Sequence, residues 1–373
     1  MHNYNRITHL NDQLNDRYVA ENAYEDIVTF PKLITLTTTL RCNYRCWMCY
    51  QNEFKGELDW HIIEKLKPAF PYAKTLQLFG GEPLLYSRIE ELCKIAADYS
   101  CDLEVITNGS LLNQEKRALL MDNNTTLIKI SMEAARQKTY TAIRGGDLAQ
   151  VLSNVKALAD EKSRRQISRP IIQINFVGMR RNIEELPNFV NLAANAGVER
   201  LLVLFMNCGT REDLAKESLF FYQELADQKM NEALELGRKL GVEISVPGLF
   251  SAQKESEANI TVDTTCHSPW KNCLVSVDGQ VNFCCGGAPP LGNIHEQNFD
   301  ALWNSKISCH FRKFVNTDAQ PDCCITCRVK SRNFRDISFH IRNAKVAEKI
   351  SAEMIRCKQS CSTKTTNVHQ TEK

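Results

Sequence analysis

Arg41-Cys42-Asn43-Tyr44-Arg45-Cys46-Trp47-Met48-Cys49-Tyr50 decides how the chain is read. Its three cysteines are separated by three and then two residues. The run before it, Leu33-Ile34-Thr35-Leu36-Thr37-Thr38-Thr39, is rich in β-branched residues, so the cysteines fall in the loop after a first strand. Thiolates this close can converge on one metal centre. A ferredoxin-type 4Fe–4S cluster is held by four thiolates, so three leave one iron open to an outside ligand. The spacing also differs from the ferredoxin run and from the paired Cys-x2-Cys arrangement of zinc sites. Three loosely placed loop cysteines, or a zinc knuckle, is the plainer alternative.

The 373 residues suffice for one large or two modest domains, and 43% hydrophobic with 24% charged residues is the balance of a globular chain. A net charge of +2 gives no reason to expect a nucleic-acid partner. No apolar run approaches the ~20 residues of a membrane span. No apolar segment follows Met1-His2-Asn3-Tyr4-Asn5-Arg6, so no signal peptide is visible and a cytoplasmic location is expected. In that setting sixteen cysteines read as metal ligands and buried thiols rather than as a disulfide framework.

From about Lys32 apolar, β-branched runs alternate with helical ones. Strands are expected over Leu33–Thr38, Thr75–Phe79, Leu103–Thr107, Leu127–Met132, Ile171–Val177 and Leu201–Phe205. Helices are expected over Trp60–Phe70, Arg88–Tyr99, Gln114–Met121, Leu148–Lys162, Ile183–Ala196 and Leu219–Leu240, with a short one near Asn11 to Asn22. Six strand–helix units imply an α/β fold with parallel strands, two units short of a full (β/α)8 barrel. A Rossmann sheet is the rival, but no Gly-x-Gly-x-x-Gly follows the first strand.

Cys42-x3-Cys46-x2-Cys49 resembles the cluster motif of the radical S-adenosylmethionine (SAM) superfamily. The resemblance implies an open six-unit (β/α)6 partial barrel and a 4Fe–4S cluster on Cys42, Cys46 and Cys49. It implies that SAM occupies the open iron and, after one-electron cleavage, yields a 5′-deoxyadenosyl radical that takes a hydrogen atom from substrate. An outside electron donor such as flavodoxin or ferredoxin is implied as well. Met48 stands where the family has an apolar residue touching adenine. Gly80-Gly81-Glu82-Pro83, at the end of the second strand, matches the family's motif for the SAM amino group; alone it reads as a turn. Thr107-Asn108-Gly109 resembles the element near the SAM ribose, which brings in Asn108. Ser131 carries over from the family's Ser-Leu-Asp, whereas Glu133 departs from it and is given no role. Arg144, in Arg144-Gly145-Gly146, matches an arginine that pairs with the SAM carboxylate, a use suited to a planar guanidinium.

A second cysteine field runs from Cys266 to Cys327. Inside it, Leu274-Val275-Ser276-Val277, Asp278-Gly279 and Gln280-Val281-Asn282-Phe283 form a hairpin signal, with Cys284-Cys285 closing it. The order resembles the auxiliary iron–sulfur extensions called SPASM and their shorter twitch relatives. Twelve residues separate Cys266 from Gly279, then Gly279-x4-Cys284 and Cys324-x2-Cys327 follow, but position 333 is Asn333 and the second half of the pattern is missing. The resemblance implies one auxiliary 4Fe–4S cluster on Cys266, Cys284, Cys324 and Cys327. Cys273, Cys285, Cys309 and Cys323 remain as possible substitutes, and four cysteines here would also suit structural zinc. Cys93 and Cys101 read as buried thiols.

The expected layout is an N-terminal extension (1–31), the partial barrel (32–241), a linker (242–262), the auxiliary domain (263–340), and a C-terminal helix with a disordered tail (341–373). The expected activity is a two-electron oxidation of a small or carbohydrate-like metabolite. A peptide- or protein-modifying maturase is the alternative, and the short stretch before the first strand leaves no room for the leader-binding domain many of those carry. Two readings of another class are an iron–sulfur electron carrier and a zinc-stabilised scaffold.

Overall fold

In the computed structural model, β1 (Leu33–Thr39) lies inside the sheet rather than at its edge. The structure describes residues 2–252, 265–325, 327 and 334–368. On one side of β1 run β2 (Thr75–Gly80), β3 (Asp102–Thr107), β4 (Thr125–Ser131), β5 (Ile171–Gly178) and β6 (Arg200–Phe205), all parallel. These are the six expected strands, each within two residues of the expected bounds. A seventh, β7 (Glu243–Ser245), pairs in parallel with β6, so the segment expected as linker begins as part of the sheet. Residues 253–262 of that linker lie outside the described residues, as do 263 and 264 at the start of the expected auxiliary domain.

The other side of β1 is taken by the second cysteine field. Its strand β8 (Asn272–Val275) pairs in parallel with β1 and turns through an antiparallel hairpin into β9 (Gln280–Asn282), followed by β10 (Gly292–Asn293). The result is one ten-stranded sheet in the order β10-β9-β8-β1-β2-β3-β4-β5-β6-β7.

The crossover helices are α2 (Trp60–Leu66), α3 (Ile89–Asp98), α4 (Gln114–Asp122), α6 (Leu148–Arg164), α7 (Leu186–Asn195) and α9 (Gln223–Leu240). Where the expected helices ran longer at Phe70, Ile183 and Leu219, the extra turns are 3-10. Side-chain caps start several of them: Asp59 accepts from the His61 N–H, Asn113 from Lys116, and Asp147 from Ala149 and Gln150. The outer face of the sheet carries Ile34, Leu36, Leu76, Leu78, Leu103, Val105, Ile128, Ile130, Ile172 and Ile174, all fully buried. Parallel sheets covered on both faces read as unbroken apolar runs, but these strands alternate. Their inner face is polar midway along the strands, with Gln77 donating to Glu104 at 2.8 Å and Lys129 to the same carboxylate at 2.7 Å, and turns apolar at Phe79, Ile106, Val177 and Leu204. An open partial barrel leaves that face half wet.

Two further helices lie within the barrel segment. The short α8 is Glu212–Ala215, and α5 (Gln137–Arg144) occupies a stretch read from sequence without a helix. No side chain of its own caps α5. Glu185, from the loop after β5, accepts instead from the Ala135 and Arg136 N–H groups at 2.8 and 3.0 Å, so the start signal is tertiary.

The N-terminal helix α1 runs from His2 to Ala20, longer than expected. The strand-free chain after it binds the cysteine field: Trp270 Nε1 donates to Ala23 O at 2.7 Å, Trp303 Nε1 to Thr29 O at 2.9 Å and Asn304 Nδ2 to Ile27 O at 3.0 Å. The C-terminal helix expected in this stretch runs over Ala344–Val368, extending into residues whose composition suggested a disordered tail. Val346, Ala347 and Ile350 are buried beside Met206, Cys208 and Leu214, which anchors the first turns, and an anchored helix propagates at low cost.

Candidate active site

The loop after β1 turns at once. Thr39 Oγ1 accepts from the Arg41 N–H at 3.0 Å, and the Cys49 N–H closes a turn on Cys46 O at 3.0 Å. Each of the three sulfurs receives one donor. The Tyr44 N–H reaches Cys42 Sγ at 3.5 Å, the Gln51 N–H reaches Cys49 Sγ at 3.4 Å, and Arg144 Nη1 reaches Cys46 Sγ at 3.4 Å. Burial pushes the Cys42 and Cys46 thiols up; the Tyr44 N–H opposes it at the first and Arg144 at the second. A metal that binds here must displace those protons.

Trp47, between the second and third cysteines, is clamped from three sides. Its N–H donates to Ile143 O at 2.8 Å, its carbonyl accepts from Arg211 Nη1 at 2.8 Å, and the Arg181 guanidinium lies 3.8 Å over its ring. Neither arginine was legible as a site residue, because their partners lie more than a hundred residues upstream.

Gly80 and Gly81 end β2 directly beneath this loop. The Gly81 N–H donates to Thr39 O at 2.7 Å and the Glu82 N–H to Arg41 O at 2.8 Å. A Cβ at Gly81 would collide with the Arg41 carbonyl, and Gly80 has a φ of +134°. The close backbone approach that requires glycine here is thus that of the cysteine loop itself. The Glu82 carboxylate is fully buried and accepts from Thr107 Oγ1 at 2.7 Å, the Asn108 N–H at 2.8 Å and the Leu84 N–H at 3.2 Å. It knits the end of β2 to the end of β3. Asn108 in turn donates to Asn43 Oδ1 at 2.9 Å, and Asn43 donates to Ser110 Oγ at 2.8 Å, so the cysteine loop is tied to the turn after β3.

Arg144 is the last residue of α5, and Gly145, at a φ of 75°, ends the helix. Its Nε and Nη2 both donate to the Glu133 carboxylate, a bidentate pair in which Glu133 is fully buried and Arg144 is 9% exposed. Burial would lower the guanidinium's pKa, but Glu133 overrides it and the pKa is raised. One two-pronged face of the guanidinium is therefore filled within the chain, one Nη1 N–H is on Cys46, and one N–H on each of Nη1 and Nη2 is left over.

Cys42, Cys46, Met48, Cys49, Gly80, Gly81, Asn108, Ser131 and Arg144 line one cavity of about 490 Å³ at the carboxyl ends of the strands. Phe79, Ile106, Val177 and Leu204 supply its apolar wall, and the volume is in the range of small-molecule sites. Among the described residues no three His, Cys, Asp or Glu side chains converge as a single metal ion requires. The donor set facing the cavity is three soft thiols with a cation opposite. That suits an anionic polynuclear cluster, whose thiolates sit on separate irons.

In the second field Cys284 and Cys327 both lie close to Gly286, and Cys266 and Cys324 are near enough to act on neighbouring thiols through their charge. A Cβ on Gly286 would lie 3.5 Å from Cys284 Sγ and 3.8 Å from Cys327 Sγ. Burial pushes Cys324 up to about 12, with Cys323, Cys266 and Cys327 adding to it, and Cys284 is raised by burial with Cys266 and Cys285 adding. Cys323 and Cys285 thus stand beside the expected four, with Cys323 Sγ 3.9 Å from Cys324 Sγ. Cys273 stands apart, buried on β8 opposite Ile34, its thiol raised by burial alone. Cys309 turns to Asn304 O at 3.7 Å.

Residues 36–193 match the radical SAM superfamily, and residues 266–328 match SPASM, an iron–sulfur cluster-binding domain. The AdoMet-dependent heme synthase of Methanosarcina barkeri is 27% identical, over 80% of this chain and 89% of that one. A tungsten-containing aldehyde ferredoxin oxidoreductase cofactor-modifying protein of Pyrococcus furiosus is also 27% identical, over 78% and 86%. Among solved structures, Streptococcus suis SuiB bound to S-adenosylmethionine superposes with a TM-score of 0.62 at 16% identity, covering 85% of this chain and 75% of that one. The anSMEcpe structure with bound AdoMet gives 0.58 at 17% identity, covering 87% and 98%. At these identities the two structures speak for the fold.

Proposed function

This chain belongs to the radical SAM superfamily and carries a SPASM iron–sulfur domain, and from that premise we propose that it performs a two-electron oxidation of a small or carbohydrate-like metabolite. The observation that carries the reading is the presence of two cysteine sites on one sheet, the first opening on a cavity of about 490 Å³ and the second joined to it through β8.

Cys42, Cys46 and Cys49 would hold the 4Fe–4S cluster that binds SAM, and Cys266, Cys284, Cys324 and Cys327 the auxiliary one. The chemistry these groups supply when bound is one-electron cleavage of SAM to methionine and a 5′-deoxyadenosyl radical, with a second site able to take the electron left on substrate after hydrogen abstraction. The chain's part is placement. The Gly80–Glu82 backbone shapes the cavity floor for the SAM amino group, while the Glu82 side chain only braces it. Arg144 offers the SAM carboxylate the two N–H groups, one on Nη1 and one on Nη2, that Glu133 and Cys46 leave over. Asn108 and Ser131 stand at the ends of β3 and β4 for the ribose side, and Met48 presents an apolar surface to adenine. Phe79, Ile106, Val177 and Leu204 give the reacting region an apolar wall.

The relative named a heme synthase acts on a small molecule by its name, which supports a small-molecule substrate over a peptide. The one-electron source is a carrier of the flavodoxin or ferredoxin class. The test is anaerobic reconstitution followed by reductant: SAM must give 5′-deoxyadenosine and methionine. With a substrate deuterated at the reacting carbon, Cys324→Ala or Cys327→Ala should still label 5′-deoxyadenosine but lose the oxidised product. Full product from these variants would refute the two-electron reading.

A further inference from the structure

Glu133 departs from the family pattern, yet it is among the most deeply buried charged groups in the barrel. Its main-chain carbonyl accepts from Asn182 Nδ2 at 3.0 Å, and the same amide nitrogen donates to Val177 O at 2.9 Å, so Glu133 is locked to the end of β5. Its two oxygens hold Nε and Nη2 of Arg144. The helix that carries Arg144 is fixed at both ends. Glu185 holds its first turn, and Ile143 O accepts from the Trp47 N–H in the cysteine loop. With helix and fork both immobilised, the guanidinium plane is fixed and one Nη1 N–H is held on Cys46 Sγ at 3.4 Å.

The geometry points to a positioning role for Glu133: it orients Arg144 so that one guanidinium arm donates to the Cys46 sulfur, and that contact raises the reduction potential of the cluster held at the first site. This rests on the proposed cluster at Cys42, Cys46 and Cys49. A donor on a ligating sulfur stabilises the more negative, reduced state, and hydrogen bonds to sulfur are among the terms that set cluster potentials. The pair as a whole is neutral. Its effect therefore comes from orientation, with the positive end on the sulfur and the negative end against β5. A merely structural ion pair would show no such effect.

The experiment replaces the pair by apolar residues of similar size, Glu133→Leu with Arg144→Met, an exchange that buried ion pairs commonly tolerate. The full chain is reconstituted anaerobically, and the cluster signal that disappears when Cys42, Cys46 and Cys49 are changed to Ala is followed by electron paramagnetic resonance through a redox titration without SAM. The expected result is full iron content with reduction of that cluster disfavoured about tenfold, which is about 59 mV for one electron. Arg144→Lys keeps the charge but cannot span Glu133 and Cys46 at once, and it should shift the potential in the same direction. An unchanged potential in the double variant at full iron overturns the inference. If the double variant fails to fold, an unchanged potential in Arg144→Lys does so. A parent protein without a SAM-responsive cluster would instead show that the cluster assignment itself is wrong.

Discussion

Glu82→Gln tests whether the floor of the cavity is braced from within. In the parent, Oε1 accepts from Thr107 Oγ1 and the Leu84 N–H, and Oε2 accepts from the Asn108 N–H. A glutamine can offer an oxygen at only one of these positions and must turn an NH2 toward a donor at the other. At least one fully buried N–H is left unpaired, at about 1–3 kcal/mol, offset in part by relief from burying a carboxylate. A loss near ~2 kcal/mol is expected, and nearer ~4 kcal/mol for Glu82→Ala, which orphans all three donors. The assay is urea unfolding of reduced, metal-free protein, in which the midpoint should fall with the slope unchanged. Burial holds Glu82 above the usual carboxylate range. Its stabilisation is therefore complete below the unfolded pKa and fades as pH rises through the folded one, whereas Gln does not titrate. The defect of the Gln variant should accordingly be larger near about pH 5 than near about pH 8. A Gln variant as stable as the parent, or an Ala variant no worse than Gln, would refute the bracing argument.

Reconstituted protein should bind about eight irons, and changing Cys42, Cys46 and Cys49 together to Ala should leave about half, by iron assay; loss of all iron would contradict two separate sites. Arg211→Ala releases the Trp47 carbonyl and should weaken SAM binding about fivefold in equilibrium dialysis, a hydrogen bond's worth of about 1 kcal/mol. Deleting residues 2–31 removes the carbonyls that pair with Trp270, Trp303 and Asn304. The deletion should bring iron down to about four per chain with SAM cleavage retained, and unaltered iron would show that these contacts do not support the second field.

The barrel was legible because each of its six strands is an apolar or β-branched run long enough to carry its own signal. The strands β7 and β10 were not, since two or three residues hold no periodicity, and although the β8–β9 hairpin was read, the pairing of β8 with β1 comes from a neighbour far off in the chain. The cysteine spacings and the Gly-Gly-Glu-Pro turn stood out as local patterns. What closes around them did not: Trp47 meets Arg211, and Asn43 meets Asn108, across long separations. Residues flanking α5 showed no start signal because its cap, Glu185, lies in another element. Glu133 and Arg144 are eleven residues apart, and neither their pairing nor the side of Arg144 it occupies could be read from composition.

The ten-stranded sheet ends in stubs, three residues of β7 at one border and two of β10 at the other. Short borders offer little template to another chain. A chain cut before residue 265 would lose β8 and lay open Leu33–Leu36, the first half of β1, with its main-chain donors and acceptors unsatisfied along one side. The second cysteine field is therefore also a guard for the strand that launches the first. Proteolysis between the two should yield an insoluble, self-associating barrel rather than a smaller working one.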